Sequence, residues 1–219
     1  MESKNKRLPG VLYLCMILTG ICAQIIRSNI LVFEDGVNVL ENIHSSLFIL
    51  RIAFICDLLM AAFFLLTAWA LFNRLKRVNM NLSLLFLLLT VASVSVISMN
   101  MINHIAIIEV NSAGYLGMNG ADDTVLASRF FSNLHGYGYL ISQFYFGLWL
   151  APLGIVLLKS KLAPRYFGVM LIAAAFGHLF EMFVSFLFPG NEILTYPGLI
   201  VGMVGEFSFC FWLLFKGIK

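Results

Sequence analysis

The sequence predicts an all-α membrane protein: a bundle of six transmembrane helices, both termini cytoplasmic, with short helical segments on the outer surface. Three observations carry that expectation. The chain is 61% hydrophobic and 11% charged, whereas a soluble domain is about half apolar and a quarter charged. Its mean hydropathy is +0.94, more apolar surface than a soluble core of 219 residues could hide. Its basic residues also collect on alternate connections between the apolar runs. One polytopic membrane domain over residues 1–219 is the expected organisation.

A spanning helix needs about 20 predominantly apolar residues, and six segments qualify, at roughly 8–26, 47–72, 82–108, 134–158, 166–188 and 197–215. The first follows Lys4, Lys6 and Arg7, as a signal peptide would. Its run is long enough to span, and Ile21 stands before Cys22 where a lipoprotein signal needs a small residue, so an uncleaved helix is expected. The second span carries Arg51 and Asp57. The third presents Thr90, Ser93, Asn100, Asn103 and His104 along one face, and the fourth spaces His135, Tyr139 and Gln143 by four. The fifth holds His178, Glu181 and Ser185, and the first adds Gln24 and Arg27. In the sixth, Gly198, Gly202 and Gly205 precede Glu206, and small residues at this spacing let backbones approach closely. Polar faces of this kind turn into the bundle, because lipid cannot satisfy them.

Charge sets the expected orientation. Lys4, Lys6, Arg7, Arg74, Lys76, Arg77, Lys159, Lys161, Arg165, Lys216 and Lys219 flank or join the spans on one side, eleven of the fourteen basic residues. The other connections carry Glu34, Asp35, Glu41, Glu109, Asp122, Asp123 and Glu192 against Arg27 and Arg129. Basic residues near span ends mark the cytoplasmic side. On the outer side, Asn38 and Glu41 have capping-box spacing, which predicts a short helix before the second span. Gly114, Gly117 and Gly120 predict a turn-rich stretch, after which Asp123 is placed to cap a helix running into the fourth span. Arg7-x-x-Gly-Val and Arg165-x-x-Gly-Val open the first and fifth spans alike, too short a match to define a repeat. Cys15, Cys22, Cys56 and Cys210 all fall in apolar stretches and read as small buried hydrophobes.

Ionisable residues inside spans are costly unless they pair, protonate or line a wet cavity. Arg51 and Asp57 are six apart, about 9 Å along one helix and about 120° around it, so they are poor partners. Arg51 is expected to meet Glu181 or Glu206 instead. The inner halves of the spans hold almost nothing ionisable, which predicts a pocket open outward and sealed inward. Its expected lining is Arg51, Asp57, His135, Tyr139, Gln143, His178, Glu181 and Glu206, with Arg51 holding an anionic group and His135 near the mouth. No metal site is expected. Haem or zinc between His135 and His178 is the alternative, weakened by the absence of HExxH or any three-ligand cluster in one segment. Nucleophilic motifs such as GxSxG are absent as well.

Arg51 to Leu58 (RIAFICDL), Leu134 to Phe146 (LHGYGYLISQFYF), Ala163 to Gly168 (APRYFG), and Gly205-Glu206 ahead of Trp212 resemble the domain-of-unknown-function 4386 family. The resemblance covers nearly the whole chain. It implies a multi-pass protein of a bacterial inner membrane and supplies no activity.

Three function classes stay open. The first binds a small polar or anionic molecule in the outward pocket, as a transporter or sensor. The second is an assembly subunit whose buried charges only specify packing. The third is a membrane-embedded enzyme acting on an amphiphile, for which His and carboxylate groups must converge within hydrogen-bond reach. The lipid bilayer and a small-molecule ligand are the expected partners. Nucleic acid is not, and the oligomeric state is not specified.

Overall fold

The computed structural model describes residues 6–33, 38–112 and 120–218, apart from the side chain of Glu192. Glu34, Asp35, Gly114, Gly117 and the terminal Lys4 and Lys219 lie outside the described residues. Among the described residues seven α-helices follow in order: α1 (Leu8–Ile30), α2 (Val39–Ser45), α3 (Leu47–Leu75), α4 (Met80–Ser112), α5 (Ala121–Lys159), α6 (Arg165–Leu187) and α7 (Tyr196–Phe215). A single 3₁₀ turn, Glu192–Thr195, leads into α7, and no strand occurs among the described residues. Six of the helices are long and apolar enough to cross a membrane. Large side chains such as Leu18, Ile55, Leu88, Ile141, Phe176 and Val204 stay exposed along them. That pattern suits helices solvated by lipid, where no hydrophobic force drives such side chains inward.

The helices form a closed ring. α1 packs on α3, α3 on α4, α4 on α5, α5 on α6, α6 on α7, and α7 closes against α1. The closure is tight only at one end. There a Cβ on Gly10 would lie 2.5 Å from the Leu214 backbone nitrogen, and the Cys210 thiol lies 3.8 Å from the Gly10 carbonyl oxygen. Both ends of the described chain meet at this end, where the Ile218 amide donates to the Lys6 carbonyl at 3.1 Å. Arg74 also reaches the Ile218 carbonyl, at 3.4 Å, so the α3–α4 connection shares the side of the termini.

Aromatic packing fills this half of the ring. Trp149 is fully buried and meets Phe64, Tyr13 and Phe86 edge-on, with ring centroids 5.0, 6.2 and 6.4 Å apart. Leu71, Leu75, Leu150, Leu153, Leu157, Leu213 and Phe209 complete a dry plug. The expected apolar seal is present at the basic end. At the other end α2 lies across the bundle, and Val39 and Ile43 pack with Ile30, Leu50 and Ile108. Asn38 caps it as its spacing predicts: its Oδ1 accepts from the Glu41 amide at 3.3 Å, and its Nδ2 donates to the Glu41 carboxylate at 3.1 Å.

Two local expectations need correction. α5 begins at Ala121 with Gly120 at the cap position, so Asp123 sits in the first turn, where its charge favours the helix N-terminus, rather than at the cap. The four thiols are free, but Cys22 is exposed and only Cys210 is fully buried. Cys22 faces Cys56 across the α1–α3 contact with Sγ atoms 3.8 Å apart.

Candidate functional site

Two buried carboxylates organise the middle of the ring. Asp57 on α3 is inaccessible. Its Oδ2 is ion-paired with the Arg27 guanidinium of α1, and its Oδ1 accepts from the Tyr139 hydroxyl of α5 at 2.6 Å. Arg27 is itself buried, donates to Gln24 at 3.2 Å, and lies 5.3 Å over the Tyr139 ring. Glu206 on α7 is the counterpart. Its Oε2 accepts from Tyr13 of α1 at 2.6 Å, and its Oε1 lies 2.6 Å from His178 Nε2 of α6. Each carboxylate thus ties three helices together, and each is satisfied on both oxygens. An unpaired charge in this position would cost several kcal/mol, on the order of 3–5.

Glycine positions the second cluster. A Cβ on Gly202 would fall 2.7 Å from the His178 imidazole. Only a bare backbone lets the ring lie across α7 and reach Glu206 one turn further on. The small-residue stripe of the last span therefore has the expected consequence, pressing Glu206 against a neighbour. Gly138 plays the same part on α5, where a Cβ would collide with the Asn100 side chain. Asn100 uses the space to donate to the His135 carbonyl at 2.8 Å. Ser93 similarly donates to the Ser142 carbonyl at 3.0 Å. These are the interhelical contacts expected of the polar stripe on α4.

Between the two carboxylate clusters lies a cavity of about 400 Å³. α1 contributes Met16, Gly20, Gln24 and Arg27; α3 contributes Met60 and Phe64; α4 contributes Ile97. α5 adds Tyr139, Ser142, Gln143 and Phe146, while His178, Glu181 and Leu199 come from α6 and α7. The floor is the aromatic plug and the walls are mostly apolar. Polar atoms concentrate toward the end remote from the termini. Gln24 is exposed, and Gly20, Gln143, Glu181 and Leu199 are half-buried. The mouth therefore lies between α1 and the α6–α7 pair. In this half α1 stays with α3, through Gly20 on Met60 and Arg27 on Asp57, while α7 stays with α6, through Gly198 on Gly177.

Of the residues expected in one pocket, Tyr139, Gln143, His178 and Glu181 line it. Asp57 and Glu206 stand directly behind its wall, bonded to the lining Arg27, Tyr139 and His178. Two expectations fail. Arg51 is exposed on α3, does not line the cavity, and makes no ion pair among the described residues; Glu206 belongs to Tyr13 and His178, and Glu181 lies 3.6 Å from His178. The helical rotation that separates Arg51 from Asp57 turns one outward as it turns the other in. His135 is not at the mouth but 5% exposed, packed between His104 and Tyr139 with centroids 5.7 and 5.1 Å away. His135 and His178, considered together for haem or zinc, have different neighbours: His104 for one, Glu206 for the other.

The residues left out of the expected pocket are Arg27, placed with Gln24 on an inward polar face of the first span but also counted with the outer connections, and Tyr13. The inward placement of Arg27 holds. Met16, Ala23, Arg27 and Ile30 are all buried, and their spacing of seven, four and three continues one inward stripe. Tyr13 carried no comparable signal, since a phenol in an apolar run reads as core.

A ring of six membrane-length helices around a partly polar cavity makes this a multi-pass helical membrane protein. The family model described as "Domain of unknown function (DUF4386)" matches residues 8–217, and the chain belongs to that family. It is also similar to an uncharacterised protein of Archaeoglobus fulgidus, 30% identical over 89 residues, which is 41% of this chain. The match spans about half of that relative's own length, 49%. No solved structure matches the chain.

Proposed function

We propose that the protein binds a small amphiphile with a cationic or hydrogen-bond-donating head group in the intramembrane cavity, as part of a transporter or sensor. One observation carries this reading: Glu181 lines the cavity, and its Oε2 makes no hydrogen bond, facing His178 Nδ1 at 3.6 Å. A carboxylate held by one long ion pair gains from a donor that a ligand brings within hydrogen-bond reach. Charge supports it. One guanidinium, Arg27, stands beside the carboxylates of Asp57, Glu181 and Glu206, so the region is formally acidic even with His178 protonated. Arg27 is already neutralised by Asp57, and Arg51, which carried the expectation of an anion, faces away from the cavity. The volume lies at the lower end of the roughly 300–1,000 Å³ typical of ligand pockets. The apolar walls and a mouth between helices suit a ligand arriving from the bilayer. The positive-inside bias supports cytoplasmic termini and, with them, a mouth in the outer half of a cytoplasmic membrane.

The test uses two single-chain amphiphiles sharing one tail, with a quaternary ammonium or a sulfate head. Thermal unfolding of the purified full chain is followed as each is titrated below its micellar concentration. The ammonium compound should raise the midpoint saturably, the sulfate should not, and Glu181→Gln should weaken the response by about tenfold, the loss of one charged hydrogen bond. Equal responses to both heads, or an unchanged response in Glu181→Gln, would leave the assembly-subunit reading in its place.

A further inference from the structure

We infer that Asp57, His104 and His135 form a binding site for a divalent first-row transition metal. Their ligand atoms lie within 4.8 Å of one another, and all three residues are buried. They come from three helices, α3, α4 and α5, in the half of the bundle remote from the termini.

The donor atoms are prepared for a metal. His104 Nε2 lies 2.9 Å from the Leu50 carbonyl oxygen. A carbonyl only accepts, so Nε2 carries the proton, and in the neutral ring Nδ1 presents a lone pair. A backbone carbonyl that fixes the tautomer of a ligating imidazole is a recurrent feature of metal sites. Nδ1 has no hydrogen-bond partner, and neither has either ring nitrogen of His135. His104 is 1% and His135 5% exposed. One lone-pair nitrogen from each imidazole beside a carboxylate, each a cost of about 1–3 kcal/mol if left unsatisfied, is an arrangement that one cation resolves, the other nitrogen of His135 keeping its proton. Asp57 is oriented from outside by Tyr139 at 2.6 Å and by Arg27, as ligating carboxylates usually are.

Two imidazoles and one carboxylate are the donors that zinc, iron(II) and cobalt(II) accept, with coordination positions left over. At about 2.0 Å from a tetrahedral ion, ligand atoms stand about 3.3 Å apart, so the cluster must close by about 1.5 Å at most. His135 can supply that movement because no hydrogen bond holds its ring. Arg27 opposes the ion by charge, which limits affinity, yet it keeps Asp57 paired when no ion is bound.

The experiment uses the full chain in mild detergent, tag removed, stripped with chelator and titrated with Co²⁺. Metal per chain and the ligand-field absorption are the readouts. We expect about one equivalent per chain. Separate His104→Gln and His135→Gln changes should each weaken binding by more than about tenfold, a loss that outer-shell changes alone can cause. His44→Gln, on the exposed face of α2, should leave binding intact. If the folded, monodisperse wild-type chain takes up no cobalt, the inference is overturned and the imidazoles are bridged by water. Uptake that survives both ligand changes overturns it equally.

Discussion

Replacing Arg27 by Met keeps the length of the side chain and removes the charge that Asp57 requires. Asp57 would be left fully buried with Tyr139 as its one donor. Removing one member of a buried pair costs about 3–5 kcal/mol. Tyr139→Phe removes a hydroxyl that donates to Asp57 at 2.6 Å and accepts a long bond from Arg27 at 3.5 Å, and such interhelical bonds are worth about 0.6–1.7 kcal/mol each in a membrane interior. Arg51→Met removes an exposed charge with no ion-pair partner among the described residues, and such surface changes stay within about 0.5 kcal/mol. The order of effect should therefore be Arg27, then Tyr139, then Arg51. Equilibrium unfolding in mixed detergent–SDS micelles, followed by circular dichroism, measures it. The double change Arg27→Met with Asp57→Leu should recover most of the loss, since both charges then disappear. If Arg51→Met destabilises as much as Arg27→Met, or the double change is no better than the single one, the pairing derived from the geometry is wrong.

Gly202→Val should cost about 1–3 kcal/mol by forcing His178 off Glu206, and His178→Ala in the same background should remove most of that penalty; additive losses would contradict it. Topology is checked by labelling single cysteines in a chain whose four native cysteines are replaced. A cysteine at Lys76 should react only after the membrane is opened and one at Asp122 in intact cells; the reverse pattern would invert the assigned orientation.

The six spans were legible because lipid demands long apolar runs, and nothing else in the chain competes with them. Helix ends needed other signals. The fourth apolar segment begins near residue 134, where hydropathy stops reporting the helix, and the acidic turn at Asp123 marked its extension; α5 starts at Ala121. Arg27 stood both on an inward polar face and among the outer connections, and only the first placement holds. Counting cations near span ends assigns them to water, yet α1 runs on to Ile30 and Asp57 holds the guanidinium inside. Arg51 shows the converse: an arginine inside an apolar run reads as a functional charge, whereas its helical phase places it outside. Polar type identified Asp57, Gln143, His178, Glu181 and Glu206 as inward residues. Which helix each would meet depended on glycine-permitted approaches, Gly138 on Asn100 and Gly202 on His178, that no single-sequence pattern encodes. His104 stood in a stripe read as packing, and only the fold brings it to His135 and Asp57.

Whether the cavity between α1 and the α6–α7 pair takes an amphiphile from the bilayer is tested most directly by photo-crosslinking. A single-chain quaternary ammonium amphiphile with a diazirine in its tail would be irradiated with the protein in lipid nanodiscs, and the modified peptides mapped by mass spectrometry. Crosslinks should concentrate on segments carrying Met16, Phe64, Phe146 and Leu199, which line the cavity, and should be lost when the unreactive ammonium amphiphile is added in excess. Crosslinks spread evenly over lipid-facing positions such as Ile55 and Leu88, or insensitive to that competitor, would contradict a ligand-binding cavity.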